Sequence, residues 1–186
     1  TMKNKIISLL IIFFSLPFFN TYASELNWKP AQQGDKIIWI RHALAPGGGD
    51  PLGFKIEDCK TQRNLNEEGI KQSKKIGKLF KKKKVRIDKV FSSQWCRCKD
   101  TAKYAFGDFR EFTALNSTFQ SPYDKNEGKQ LNELYDYVSK WDVKGKNLVL
   151  VTHYSIITAV TNAVPSSGEI VIADKNFKVL GTIQTD

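Results

Sequence analysis

The sequence is short of several things, and each shortage removes a class of protein. It has only two histidines, His42 and His153, and three cysteines, Cys59, Cys96 and Cys98. A closed zinc site needs about four ligands. Three cysteines and a distant histidine are badly spaced for one, so no metal and no cofactor is expected. No internal repeat, heptad or low-complexity tract occurs, which excludes solenoids, coiled coils and disordered linkers. The longest apolar run, Ile6 to Phe19, spans about 14 residues and is short for a bilayer crossing. No aromatic residues interleave the lysine run Lys81 to Lys84, so a nucleic-acid surface is not expected there. A solvated helix end, with cations on its C-terminal dipole, accounts for that run.

What remains is a globular composition. The chain has 186 residues, 41% hydrophobic and 26% charged, enough for one domain with a proper core. Met2-Lys3-Asn4-Lys5, the apolar run and the small residues near Ala23 together have the form of a secretory signal peptide. Residues 1–23 are therefore expected to be a cleaved leader and 24–186 the folded domain. The alternative is an uncleaved N-terminal anchor. With no cysteine near the cut, a lipid anchor is not expected, nor is a stable membrane anchor after cleavage. The formal net charge is +10, and losing Lys3 and Lys5 with no acidic residue leaves +8. Such a charge suits anionic, phosphate-bearing partners. A periplasmic or secreted protein meets oxidising conditions, so two cysteines are expected to pair, Cys59 with either Cys96 or Cys98.

Along the chain, Ser24 to Asp35 is a polar lead. Lys36 to Ile40 is a continuous apolar run, as in a buried parallel strand. A Gly-rich loop runs from Ala43 to about Asn64. Asn66 caps a helix with Glu67 and Glu68 in its first turn. Strands are expected at Asp88–Ser92, Glu111–Phe119 and Asn147–Thr152. Helices are expected at Trp95–Tyr104, Glu127–Trp141 and Ile156–Ala163. Glu169–Ala173 and Lys178–Ile183 make a closing hairpin. The alternation predicts a single three-layer α/β/α sandwich with a mostly parallel sheet and an antiparallel edge.

That order delivers Arg41 and His42, Arg97, and His153 to the carboxyl ends of neighbouring strands. There open α/β sheets bind ligands. Guanidinium forks hold phosphoryl oxygens in pairs. A neutral imidazole can attack phosphorus, and a second imidazole can stabilise the charge that develops.

The segments "IRHA", "LNEEGIKQS", "SSQWCRCKDTA" and "LVLVTH" resemble the histidine phosphatase superfamily, of phosphoglycerate-mutase-like fold. The resemblance runs from about Lys36 to Ala173. The insert "APGGGDP…DC.TQRNL" is similar to that of exported bacterial members. The resemblance implies that His42 is the phosphorylated nucleophile and that Arg41, Arg97 and His153 complete the phosphate pocket. It also places Arg63 as a substrate-facing arginine. Two departures stand out. Ala43 takes the Gly position of the usual "RHG". Asn116, in "TALNSTF", stands where many members carry a glutamate general acid, and His153 is followed by Tyr154 rather than an acidic residue. Asn116 is left as a substrate-binding candidate, with Asp50, Glu127 and Glu133 as the substitutes for the acid. The resemblance implies hydrolysis of a phosphate ester or a phosphoramidate, with a small molecule or a surface glycan phosphate as substrate. The alternative is a module that binds such a phosphate, for instance a lipopolysaccharide sugar phosphate, without turnover.

Overall fold

A computed structural model describes residues 18–186. The expected leader therefore falls largely outside the described residues. Five helices, α1 (Phe18–Gln33), α2 (Glu67–Lys82), α3 (Cys96–Phe106), α4 (Glu127–Lys140) and α5 (Tyr154–Thr161), surround one sheet. Its strands are β1 (Ile37–Arg41), β2 (Ile87–Ser92), β3 (Arg110–Glu111), β4 (Asn147–Thr152), β5 (Ile170–Ala173) and β6 (Val179–Ile183). Their spatial order is β3-β2-β4-β1-β5-β6. The first four run parallel, and β5 and β6 add an antiparallel edge. The predicted architecture is the observed one.

The sheet is buried on both faces because its strands carry apolar side chains on both. Ile38, Ile40, Val149, Val151, Ile170 and Ile172 point to one side, against Trp28, Ile76, Phe80, Cys98 and Ala102 of α1, α2 and α3. Ile37, Trp39, Leu148, Leu150 and Val171 point to the other, against Leu134 and Val138 of α4 and Ile156 of α5. Period-two alternation thus feeds two cores at once. Helix α2 lies close to its neighbours because Gly69 and Gly77 have no side chain. A Cβ there would sit 2.1 Å from the Leu44 and Ala105 carbonyl oxygens, respectively.

Three expectations need correction. Residues 24–33, read as a polar lead, are helical. Trp28 and Ala31, three apart, are almost fully buried, and Trp28 packs edge-on against Phe80 at 5.5 Å. The segment Glu111–Phe119 is not a strand. β3 ends at Glu111, and a 3-10 turn, Thr113–Leu115, tucks Ala114 and Leu115 under the sheet rim. Helix α5 begins at Tyr154 rather than Ile156 and stops at Asn162, which takes the left-handed conformation (φ 61°). Among the described residues, no helix is long and apolar enough to cross a membrane.

Candidate active site

The site is a consequence of register. Arg41 pairs with Thr152, and Ser92 with Val151. The ladder then continues beyond each strand: the His42 N–H donates to the Thr152 carbonyl (2.9 Å) and the Ser93 N–H to the Val151 carbonyl (3.0 Å). His42, His153 and Ser93 therefore leave three adjacent parallel strands side by side, at the carboxyl rim. The imidazoles of His42 and His153 meet edge to face with centroids 5.5 Å apart, and both are 2% exposed.

His42 is held in one tautomer. Its Nδ1 lies 2.9 Å from the Ala43 carbonyl oxygen, which can only accept, so the proton is on Nδ1 and Nε2 keeps its lone pair. Burial, followed by the charge of Arg97, pushes the His42 pKa well below its ordinary value. The ring is neutral and nucleophilic at neutral pH. The alanine in the "RHA" triplet fits without strain, since Ala43 is not among the residues with positive φ. Its N–H donates to Thr101 Oγ1 at 2.9 Å.

His153 is fixed in the complementary way. Its Nε2 faces inward, 2.9 Å from Ser93 Oγ and 3.4 Å from Cys98 Sγ. Ser93 Oγ accepts from the Trp95 N–H (3.2 Å) and has two acceptors within reach of its own hydrogen, His153 Nε2 at 2.9 Å and Asn116 Oδ1 at 3.3 Å, of which Nε2 is the nearer. Burial pushes the Cys98 thiol up to about 12, so it too stays protonated. Two donors converging on Nε2 leave the ring proton on Nδ1, free to donate to a ligand. Burial first, then Arg97, lowers the His153 pKa well below its ordinary value as well.

Three arginines close the cleft. Arg97, in the first turn of α3, forks onto Asp50: Nη1 to Oδ1 at 2.8 Å and Nη2 to Oδ2 at 3.1 Å, with both side chains 3% exposed or less. Arg41 donates from Nη1 to the Pro165 carbonyl (2.9 Å) and lays its guanidinium over the Tyr154 ring at 5.3 Å. Arg63 donates from Nε to the Gly49 carbonyl (2.9 Å) and from Nη1 to that of Ala45. Burial lowers the pKa of both Arg41 and Arg63, and the nearby charge of Arg97 lowers them further. Two guanidinium donors, Arg41 Nε and Arg97 Nε, are buried without any partner. An unmet buried donor costs about 1–3 kcal/mol, which an oxyanion in the cleft would recover.

The cleft is narrow, ≈ 90 Å³, and is lined by Arg41, His42, Arg63, Arg97 and His153 with Gly47, Gly48, Gly49, Ser117, Phe119 and Tyr154. Larger hollows of ≈ 530 and ≈ 510 Å³ lie along α2, lined by no histidine, arginine or cysteine. All five residues singled out as nucleophile, charge stabiliser or phosphate-binding arginine thus share one wall. Asn116 does not join them. Its Oδ1 accepts from the Gln94 N–H (2.9 Å) and its Nδ2 donates to Gln94 Oε1 (2.9 Å). It braces the Ser93–Trp95 turn behind His153 and does not line the cleft.

None of the three candidate acids lines the cleft either. Asp50 accepts from Arg97, from Trp95 Nε1 (2.9 Å) and from the Arg63 N–H (3.0 Å). The bonds to Arg97 hold its carboxyl below the usual carboxylate range despite burial. It is a permanent anion that aims Arg97. Glu127, at the start of α4, accepts from Thr118 Oγ1 (3.0 Å), and Glu133 lies on the same helix. Sequence reasoning missed Ser93, Phe119 and Tyr154. Ser93 follows β2 directly, as His42 and His153 follow β1 and β4, and that shared placement was the available signal.

The cysteines resolve to one bridge. Cys59 and Cys96 are bonded, with Cα atoms 5.7 Å apart, and Cys98 is free and buried.

Comparison with known proteins agrees with this geometry. Residues 38–116 match the family model for the histidine phosphatase superfamily (branch 1). No curated protein sequence matches. Among solved structures, TTHB049 from Thermus thermophilus aligns at TM-score 0.58 and 17% identity, over 80% of this chain and 99% of that one. The protein histidine phosphatase SixA complexed with tungstate aligns at 0.52 and 13%, over 81% and 97%. A phosphoglycerate mutase, also from Thermus thermophilus, aligns at 0.53 and 18%, over 81% and 99%. At such identities these likenesses speak for the fold. The family match covers residues 38–116, and the likeness of fold extends over about four fifths of the chain.

Proposed function

We propose that the protein is a phosphatase that works through a phosphohistidine on His42 Nε2. One observation carries this reading. A neutral imidazole with its proton pinned to a carbonyl offers its free lone pair to a cleft with three guanidinium groups, two of which hold an unpartnered Nε. Such a wall fits a tetrahedral dianion. Arg41, Arg63, Arg97 and His153 Nδ1–H hold the equatorial oxygens while Nε2 attacks in line. Water then attacks the phosphohistidine and frees phosphate. Every charge on the phosphoryl group meets a guanidinium or an imidazole N–H, so the mechanism calls for no metal and no cofactor.

The substrate is a phosphate ester or a phosphoramidate. Its phosphoryl group fills the cleft while its body stays outside, as on a surface glycan or a small molecule. We further propose that the protein acts in the periplasm or is secreted. The leader-like residues 2–23 and the Cys59–Cys96 bridge support export.

The test is hydrolysis of an aryl phosphate by His42→Ala. Activity should fall to background, and an acid-labile phosphoenzyme should be trapped with the wild type alone. Full activity in the variant would sink the mechanism. A second reading, a binding module for a phosphorylated ligand without turnover, is favoured by the absence of any carboxyl group from the cleft lining. Oxyanion binding with no turnover on any ester would select it.

A further inference from the structure

The leaving group needs a proton, and no acid of the usual kind is at hand. In-line attack fixes where that proton must arrive. His42, His153 and Arg97, at 3% exposed or less, form the floor of the cleft, whereas Phe119 is 51% exposed and Gly47 and Gly48 are open to solvent. A nucleophile on the floor expels its leaving group toward the mouth. The lining groups that are not buried are Phe119, the Gly47–Gly49 backbone, Tyr154, Arg41 and Arg63. The two arginines stay charged and hold oxygens, so of these side chains only Tyr154 has a proton to give. Its ring lies 5.6 Å from that of Phe119. The Arg41 guanidinium lies over its face at 5.3 Å and holds the ring in place. The other proton carriers in the lining do not serve: His153 Nδ1–H goes to an equatorial oxygen, and Ser117, buried in a turn where its Oγ accepts from the Phe119 N–H (3.3 Å), carries only an alkyl hydroxyl, too weak an acid for the role.

Resting on the phosphatase reading, we propose that Tyr154 is the general acid, and that the substrate class is a phosphate monoester of an alcohol. In the first step the bond from His42 Nε2 to phosphorus forms, the P–O bond to the leaving group breaks, and the Tyr154 proton passes to that oxygen. In the second, water attacks phosphorus, the P–N bond breaks, and the phenolate takes a proton from the water. The net change is ester plus water to alcohol plus phosphate.

The experiment compares wild type and Tyr154→Phe on p-nitrophenyl phosphate, whose leaving group needs no proton, and on glycerol 2-phosphate, whose leaving group does. General acids typically contribute about 10²–10⁴-fold. The variant should therefore lose at least about 30-fold more kcat on glycerol 2-phosphate than on p-nitrophenyl phosphate. Across a series of aryl phosphates, its rates should fall more steeply with leaving-group pKa than those of wild type. Equal losses on both substrates, or an unchanged slope, overturn the assignment and make Tyr154 a packing residue. A second measurement needs no variant. If wild type cleaves only the aryl ester, Tyr154 as acid is overturned while the phosphatase reading stands. If wild type cleaves neither, both fall.

Discussion

Replacing Asp50 by asparagine tests the framework of the cleft without altering its shape. Asp50 accepts four hydrogen bonds: two from Arg97 (2.8 and 3.1 Å), one from Trp95 Nε1 (2.9 Å) and one from the Arg63 N–H (3.0 Å). In Asp50→Asn, Oδ1 can still serve Arg63 and one arm of Arg97. Nδ2 turns hydrogens toward the other arm and toward the indole, so two buried donors lose their acceptors. The guanidinium also loses its counter-charge at 3% exposure. Breaking a buried ion pair from one side costs about 3–5 kcal/mol, and for a domain of this size each kcal/mol moves Tm by about 2–4 °C. The expected fall in Tm at neutral pH is thus roughly 6–20 °C, read by calorimetry. The sign with pH follows from the lowered Asp50 pKa. A depressed carboxyl stabilises the fold above its unfolded pKa and loses that contribution as the pH falls through its folded value. The gap between wild type and variant should therefore be full at neutral pH and narrow progressively below about pH 5. A variant within about 1 kcal/mol of wild type, or a gap that persists unchanged into strong acid, would refute the ion-pair account.

Two other outcomes follow from the same geometry. Tungstate or phosphate should raise Tm, by about 2.7 kcal/mol of stabilisation at 100 times its Kd, because it meets the unpartnered Arg41 and Arg97 donors; no shift would empty the cleft of its assigned ligand. A thiol reagent should find no reactive group in the native protein and one per chain after denaturation without reductant, since Cys98 is buried with its pKa pushed up to about 12 and Cys59 is bridged to Cys96; three thiols would disprove the bridge.

Much of the fold was legible because its strands are apolar on both faces. Asn147–Thr152 is buried at every position, and a continuous run of six such residues has no other home in a chain this size. The Asn66 cap was legible for a local reason: its Oδ1 needs only the Gly69 N–H three residues on (2.9 Å). Features resting on distant partners were not. Over residues 25–33 of α1 only Trp28 and Ala31 are buried hydrophobics, too few to mark a helical stripe, and Trp28 packs on the distant Phe80. The segment after β3 alternates loosely, yet its partner strand, β2, ends at Ser92, and the pairing stops with it. In the site, His42, His153 and Arg97 were readable because strand ends converge whatever the loops do. Asp50 was read as an acid because its partner stands 47 residues away, across a loop whose path no local pattern gives. The choice between Cys96 and Cys98 stayed open in sequence. Two helical residues apart is a turn of about 200°, so one thiol faces the loop and the other the core, and only the packing of α3 decides which.

The disulfide has a further consequence for how substrate comes and goes. The segment between β1 and α2 carries Arg63 and the Gly47–Gly49 rim. It is tied to α3 covalently by Cys59–Cys96 and ionically by Asp50–Arg97, and it is tied to itself by Arg63 on the Gly49 and Ala45 carbonyls. A segment pinned at so many points has no hinge left to swing on. On the phosphatase reading proposed above, these ties predict that the Gly47–Gly49 side of the mouth keeps its width through turnover, so that a substrate must fit the opening as it stands.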